Sequence, residues 1–181
     1  MWEAASGEKR REMQCYGPVT GVAVSADGST VVSGDDSNMV IVWEAASGEK
    51  RREMQCDAEV SSVAVSADGS TVVSGDKSRK VIVWEAASGE KRREMRCDRM
   101  VSSVAVSADG STVVSGDTAP STVVGGPVSS KVIVWEAASG EKRHEMHCDG
   151  RVRSVAVSAD GSTVVSGDDS NKVIVLSLIH I

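Results

Sequence analysis

The hydrophobic and polar positions of residues 60–95 follow the pattern of short β-strands. Val60–Ser66 reads VSSVAVS, in which apolar and small polar residues alternate as in a half-buried strand. Asp68-Gly69 is typical of a tight hairpin turn, and the STVVS that follows predicts a second strand. The runs KVIVW and EKRREM predict a third strand, buried on both faces, and a charged fourth strand. Because no stretch has the capped, 3.6-residue period of a helix, we predict a four-stranded antiparallel meander.

This unit repeats along nearly the whole chain of 181 residues. Trp2, Trp43 and Trp84 are 41 residues apart, and Trp135 follows after 51 because ten extra residues interrupt the third copy. The run VAVSADGSTVVSGD occurs four times without a change, beginning at Val22, Val63, Val104 and Val155. The repeats lie near residues 2–42, 43–83, 84–134 and 135–175, and four-stranded units are predicted at 19–54, 60–95 and 101–146. Such a period indicates a repeat architecture, in which neighbouring units bury each other's apolar faces.

The order GSTVVSG, polar turn, VIVWE, small-Gly turn, charged strand and VxSVAVSADG resembles the WD40 repeat over residues 2–175. The resemblance implies an all-β fold, a β-propeller whose blades of four antiparallel strands surround a channel. In that family a His, a second-strand Ser or Thr, an Asp of the following turn and the Trp form a buried hydrogen-bonded tetrad. The residues that match the hydroxyl are Ser33, Ser74, Ser115 and Ser166.

The sequence differs from the WD40 pattern at two motif positions. Each Trp is followed by Glu where the family has Asp, at Glu3, Glu44, Glu85 and Glu136. The Gly-His pair before the first strand is absent, and a cysteine stands in place of the His at Cys15, Cys56, Cys97 and Cys148. A thiol is a weak donor and cannot bridge two partners as imidazole does. We therefore expect blades held less tightly than those of the family, stabilised mainly by burial of Val and Trp.

The repeat pattern predicts about four blades, arranged as an open arc or as a small closed ring. Residues 2–15 would be an outer strand without its blade, and Val152–Val175 a last blade of three strands. These two could join to close a ring; otherwise we expect a slice of a longer array, covered by further blades or by self-association. Residues 176–181, LSLIHI, do not echo the repeat and are similar to the translated adapter of transposase-made sequencing libraries. Vector-derived sequence and an authentic C-terminal strand are the two hypotheses for this tail.

Charge and hydropathy argue against nucleic acids and membranes as partners. The formal net charge is -6 and each KRR triplet is flanked by Glu, so we interpret the triplets as a solvated strand edge rather than a nucleic-acid band. No apolar run is long enough to span a bilayer, and no signal peptide is visible. We expect a cytoplasmic protein with no nucleic-acid or membrane partner.

The residues that could carry chemistry have simpler structural interpretations. The four cysteines are predicted to be buried, reduced thiols, because equivalent positions on successive blades lie beyond the roughly 7 Å that a disulfide spans. Each Ser-Ala-Asp-Gly loop has one Asp, too few oxygen ligands for calcium. His144 and His147 occur in one copy only and are interpreted as surface substitutions. We predict no catalytic residue, cofactor or metal.

Variation between the copies is clustered in two sets of loops. One joins the outer strand to the next inner strand, and the other joins the second and third strands; in a meander both open on the same face. The predicted partner-binding residues on it are Tyr16, Asp36, Asn38, Asp57, Glu59, Lys77, Arg79, Asp98, Arg99, Met100, Arg151 and Arg153. Loops also tolerate change because they are exposed, but tolerance predicts drift on both faces. The insertion at Ala119–Ser129 would project from the same face, as a contact element or as a functionless insert.

Three functions are consistent with these features. The first is a non-enzymatic scaffold of the WD40 type that binds a protein or peptide through the variable loops. The second is a sensor or domain of a larger enzyme, which would require convergent acids, His or metal ligands at the channel. The third is an incomplete repeat fragment without independent activity.

Overall fold

The computed structural model describes residues 5–118 and 130–178, and these contain β-strands and no helix. The strands are β1 Val19–Val24, β2 Thr30–Asp35, β3 Met39–Glu44, β4 Lys50–Gln55, β5 Val60–Val65, β6 Thr71–Asp76, β7 Lys80–Glu85, β8 Lys91–Arg96, β9 Met100–Val106, β10 Thr112–Thr118, β11 Ser130–Glu136, β12 Lys142–Cys148, β13 Val152–Val157, β14 Thr163–Asp168 and β15 Val173–Ser177. They form three sheets of four strands and one of three, each antiparallel and in chain order. The predicted all-β meander is confirmed. We call these sheets the first to fourth blades.

The strand pairing is the same in every blade. In the second blade Ser74 lies opposite Ile82, and Val72 lies opposite Trp84; the first and third blades have the same register. The Asp-Gly turn between the first two strands places Gly69 at φ +73°, a left-handed conformation that glycine adopts without strain. The repeated sequence therefore fixes both the turn and the register.

The hydrophobic core lies between blades. The largest side chains with no more than about 2% exposure are Val and Ile of the second and third strands, together with Val residues of the neighbouring blade's inner strand. Val60 and Val63 pack onto Gly34 of the blade before them, where any Cβ would crowd both valines. The predicted burial of Trp43, Trp84 and Trp135 is confirmed, whereas Trp2 lies outside the described residues.

The described residues form an open arc rather than a closed ring. On the first blade Val22 is 70% exposed, although its counterpart Val63 on the second blade is 7% exposed. On the fourth blade Val173 is 73% exposed, and a Cβ on Gly167 would meet no atom within 4 Å. Of the two predicted arrangements, an open arc and a small closed ring, the described residues form the open arc.

The chain ends differ from the interior repeats. The outer strand predicted over residues 2–15 is wrong as a regular strand for its described part: of residues 5–15 only Lys9 is in a bridge, and no strand of the described residues lies along this segment. At the other end β15 continues to Ser177, so the first two tail residues pair with β14. Trp2, Glu3, the insertion at Ala119–Ser129 and residues 179–181 lie outside the described part of the chain.

Candidate binding rim

The two sets of variable loops meet on one rim of the arc. In the first blade the amide of Asp36 donates to the carbonyl of Pro18 at 3.1 Å. The same bond joins Lys77 to Glu59 at 3.0 Å in the second blade and Asp169 to Arg151 at 3.1 Å in the fourth. We call this surface the variable rim: residues 16–18, 36–38, 57–59, 77–79, 98–100, 149–151 and 169–171.

A carboxylate at the end of each second strand orders these loops, and it is buried in the first three blades. Asp76 Oδ1 accepts the amide of Lys80 at 3.1 Å and the hydroxyl of Ser78 at 2.6 Å. Asp117 Oδ1 accepts the amide of Lys131 at 2.7 Å, and burial raises the pKa of Asp117. Because the carboxylate is fixed, the loop residues that follow it are held in one position on the rim.

Ion pairs tie the rim to the outer strands. Lys80 Nζ lies 2.5 Å from Asp57 Oδ2 and 2.8 Å from Glu94 Oε1. Lys131 makes the equivalent pairs with Asp98 and Glu145, at 2.5 and 2.6 Å. These hydrogen bonds from lysine lower the pKa of both glutamates to about 2. Two of the predicted partner-binding residues, the rim aspartates, therefore already have partners within the blade.

One groove gathers five of the predicted residues. It has a volume of about 510 Å³ and lies between the second and third blades, lined by Lys77, Arg79, Asp98, Arg99 and Met100. These residues come from two loops that are far apart in sequence and adjacent on the rim. The groove is therefore where the structure brings five of the predicted partner-binding residues close to one another.

The groove combines an apolar contact with two arginine side chains that have no hydrogen-bond partner among the described residues, one of which, Arg99, interacts electrostatically with the buried Asp117. Lys77 is paired with Glu59 at 2.6 Å and Asp98 with Lys131, so both are neutralised. The guanidinium groups of Arg79 and Arg99 make no hydrogen bond or ion pair with any described residue. Met100 is half-buried beside them.

Other predicted residues lie elsewhere on the rim or beside it. Tyr16 is exposed at the first blade, where its hydroxyl donates to Glu53 Oε1 at 2.7 Å. Arg153 lies at the fourth blade, 3.3 Å from Asp169 Oδ2. The remaining first-blade residues, Asp36 and Asn38, and the fourth-blade Arg151 are also not part of the groove lining. Eleven of the twelve predicted residues thus lie on the variable rim without forming a single site, and Arg153 lies beside it in β13.

The opposite rim has grooves that the sequence analysis did not predict. One of about 300 Å³ lies between Arg51 and Arg52 of the first blade and Asp68 of the second. A similar one of about 410 Å³ lies between the second and third blades. Their residues belong to the repeated framework: Asp68 and Asp109 were interpreted only as turn residues, and the arginines only as part of a solvated strand edge. Asp68 accepts the hydroxyl of Ser66 at 2.6 Å, and this lowers its pKa, so the carboxylate acts as a turn-forming acceptor.

The implied tetrad is present in part. Trp84 Nε1 donates to Ser74 Oγ at 2.8 Å, and the equivalent bond forms in the first and third blades, so the predicted hydroxyl partner is confirmed there. Cys56 Sγ lies 3.6 Å from Ser74 Oγ, and burial raises the pKa of this thiol to about 11. Asp76 Oδ2 is buried with no partner among the described residues. The thiol therefore does not complete the link that imidazole makes in the family.

Two absences can be stated for the described residues. No group of three His, Cys, Asp or Glu side chains is placed to hold a metal ion. No helix there has the length and apolarity that crossing a membrane requires.

The four-stranded blades, their shared cores and the arc define a β-propeller repeat protein. A family model described as outer membrane protein assembly factor BamB matches residues 1–120, about two thirds of the chain, and the chain belongs to this family of propeller repeats. A second model, described as WD domain, G-beta repeat, matches residues 140–176, which confirms the resemblance seen in the sequence.

The blades are also similar to a solved structure. Kuenenia stuttgartiensis hydrazine synthase matches with a TM-score of 0.77 and 20% identity, over 91% of this chain and 47% of that chain. At this identity the likeness concerns the fold alone, and the present chain spans about half the length of that relative. No curated protein sequence matches the chain.

Proposed function

We propose that the chain is a non-enzymatic interaction module that binds an acidic peptide segment of another protein on the variable rim. The observation that carries this proposal is the groove between the second and third blades, with two unpaired guanidinium groups beside a half-buried methionine. Arginine pairs with carboxylates in a bidentate geometry and is enriched at interface anchors. A ligand with one or two carboxylates and an apolar side chain is the chemistry that fits.

The backbone of Arg79 supports the same assignment. Its φ is 75°, in the left-handed region, where the equivalent positions of the first and fourth blades have Asn38 and Asn171. Asparagine tolerates this conformation better than most residues, so Arg79 costs stability of order 1 kcal/mol at this position. A strained residue at a rim groove is consistent with a role in recognition.

The family description gives further support. It describes an outer membrane protein assembly factor. In the present chain nearly identical blades provide a common framework, and the rim supplies the differences between blades that a specific contact requires.

The test is selection of ligands from a displayed library of random 12-residue peptides on the immobilised chain. The proposal expects selected peptides rich in Asp or Glu next to an apolar residue. Arg99→Glu should weaken their binding at least tenfold, about 1.4 kcal/mol, because it reverses the charge that the ligand carboxylate meets.

Glu90→Lys is the matched control, since it reverses an exposed charge on the opposite rim and should leave binding unchanged. Asp68 and Asp109 are less suitable, because their carboxylates form turn hydrogen bonds and their replacement would also alter stability. Equal loss in Arg99→Glu and Glu90→Lys, selection of peptides without acidic residues, or equal competition by a single-stranded oligonucleotide would contradict the proposal.

A second candidate is a propeller domain of a larger enzyme. The likeness to hydrazine synthase, of which the chain spans about half, is the observation that favours it. An enzyme domain would present its reactive groups at the channel rather than on the rim.

We propose the cytoplasm as the location, because the described cysteines are all free, as is usual in a reducing compartment.

A further inference from the structure

The two ends of the arc carry complementary halves of the internal blade junction. Inside the chain, Val63 packs onto Gly34 of the preceding blade, and a Cβ on that glycine would lie only 3.0 Å from Val63 Cγ1. The equivalent valine of the first blade, Val22, is exposed, and the equivalent glycine of the fourth blade, Gly167, has open space above it. One end therefore presents the projecting valine and the other presents the space that receives it.

The Asp-Gly turns also form a contact between blades that is unoccupied at the two ends of the arc. Gly69, Gly110 and Gly161 each lie against a threonine of the blade before. Gly28 of the first blade has no atom within 4 Å of its added Cβ, and Thr163 at the other end is the equivalent threonine. The ends thus match at a second contact, on the opposite rim from the variable loops.

A chain of backbone hydrogen bonds crosses every junction. The amide of Ala26 donates to Ala67, that of Ala67 to Ala108, and that of Ala108 to Ala159, each at 3.0 Å. At the open ends the amide of Ala159 and the carbonyl of Ala26 are the donor and acceptor of a fourth bond of the same kind.

The N-terminal segment, residues 9–15, already occupies the place of an outer strand before the first blade. Cys15 Sγ lies 3.4 Å from Ser33 Oγ, as Cys56 Sγ at the end of β4 lies 3.6 Å from Ser74 Oγ in the following blade. The first blade therefore holds this segment as the second blade holds the end of β4.

Side chains of the N-terminal segment confirm its position. Arg11 and Met13 lie against Gly48, as the two equivalent side chains of β4 lie against Gly89. Arg11 Nε donates to the carbonyl of Ala46 at 3.1 Å, a bond that the third blade repeats with the outer strand β8. The segment lies where a fourth strand would lie, but it is not paired as a strand in a described sheet.

The fourth blade has three described strands and no described outer strand. Its last strand β15 has no described strand along its outer edge, and Val173 and Val175 are exposed. Lys172 pairs with Asp149 at 2.5 Å and its side chain is 55% exposed. Its counterpart Lys80 has a second carboxylate, from the outer strand, and is 11% exposed. An unpaired strand edge with exposed apolar residues readily accepts another strand.

We propose that two copies of this chain join head to tail at both ends and close into an eight-bladed ring. The N-terminal segment of each copy pairs with β15 of the other, so that two chains share a four-stranded blade at each junction. The register of β3 with β4 places Met13 opposite Val173 and brings Glu12 to Lys172. Eight blades lies within the range of β-propellers, and a head-to-tail contact that closes gives a ring.

Light scattering and native mass spectrometry of the 181-residue chain test the proposal. The expected mass is twice the 18.9 kDa of the chain, with dissociation to the single chain on dilution. Gly167→Arg and Val22→Arg should each give the single-chain mass, because each obstructs one half of the junction. Both changes fall in open or exposed positions, so the blades should fold normally by circular dichroism. Ala87→Arg, an exposed change in the second blade, should keep the doubled mass.

Three results would overturn the proposal. They are a single-chain mass for the unaltered chain at millimolar concentration, a series of larger oligomers without a dominant pair, and a doubled mass that survives Gly167→Arg. The first would mean that the ends do not recognise each other. The second would mean that head-to-tail contacts continue without closing, and the third that copies meet through another surface.

Discussion

The interior junctions and the open ends of the arc are built from the same residues in different surroundings. Val63 is 7% exposed between two blades, and Val22, in an identical stretch of sequence, is 70% exposed at the end. The difference shows that a blade buries little of its apolar surface alone and depends on its neighbour. This is the behaviour of a repeat protein whose stability is a sum over units and the interfaces between them.

The comparison also indicates that the residues that stabilise the fold lie at the interfaces between blades, whereas those proposed to bind a partner lie on the variable rim. The framework that is identical in every copy fills the interfaces, whereas the residues that differ are clustered on the variable rim. Changes at an interior interface should therefore reduce the free energy of unfolding most, and the same changes at an end should have smaller effects. The predictions below test that comparison.

The largest effect is expected for Trp84→Ala. This side chain is 5% exposed between two blades, and its removal should lower the free energy of unfolding by about 3–5 kcal/mol, the cost of deleting a core aromatic. Leu176, the equivalent residue of the fourth blade, is only half-buried, so Leu176→Ala should cost clearly less. Denaturant titration measures both. Equal costs, or a Trp84→Ala shift near zero, would contradict the comparison.

A smaller cost is expected for filling an interior junction. Gly75→Val would place a side chain where Val101 and Val104 already lie, and such overpacking costs about 1–3 kcal/mol. Gly116→Val at the next junction should behave in the same way, because the same two contacts occur there. Thermal unfolding checks both variants, and an unchanged midpoint would show that the blades shift apart freely.

The lysine pairs predict a stability that declines in acid. The pKa of Glu145 is lowered to about 2 in the folded chain from an ordinary value of 4.5. A lowered carboxyl pKa stabilises the fold above pH 4.5, and this contribution is lost as the pH falls from 4.5 towards 2. Glu145→Gln should therefore flatten the decline.

Glu141→Gln is the matched control for this pH series, since it makes the same substitution in the turn before β12 without breaking a described ion pair. The free energy of unfolding is measured by denaturant titration from pH 2 to pH 7. A Glu145→Gln profile that runs parallel to that of the unaltered chain would contradict the role of the pair.

The smallest effect concerns thiol reactivity. Burial raises the pKa of Cys56 and Cys97 to about 11, so at pH 8 both should be alkylated slowly in the folded chain. Cys15, at the open end, is only partly buried and should react first. Mass spectrometry of alkylated peptides gives the order, and unfolding should release four reactive thiols. Fewer than four would reveal a disulfide.

Local patterns predicted most of the blade. The Asp-Gly turns and the buried Trp84 follow from turn chemistry and the apolar third strand within one repeat, and the structure confirms them. The groove could be predicted only as a shared rim, because its lining depends on which loops of adjacent blades meet. That Lys131 neutralises Asp98 was also not visible, since the residues are 33 apart and meet only through folding.

The N-terminal segment shows why sequence alone failed at the ends. Residues 9–15 have the same character as β4 and β8, yet they are not paired as a strand, because strand formation requires a neighbouring edge. The sequence carries the preference for a strand, and the surroundings decide whether it forms.

Native-state hydrogen exchange, at a concentration where the chain is single, tests the dependence of each blade on its neighbours most directly. The account predicts that amides of β6, β7 and β10 in the interior blades exchange slowest and open only with global unfolding. Amides of β14 and β15 should exchange orders of magnitude faster, because local opening there exposes little additional apolar surface. Uniform protection across all four blades would contradict the account.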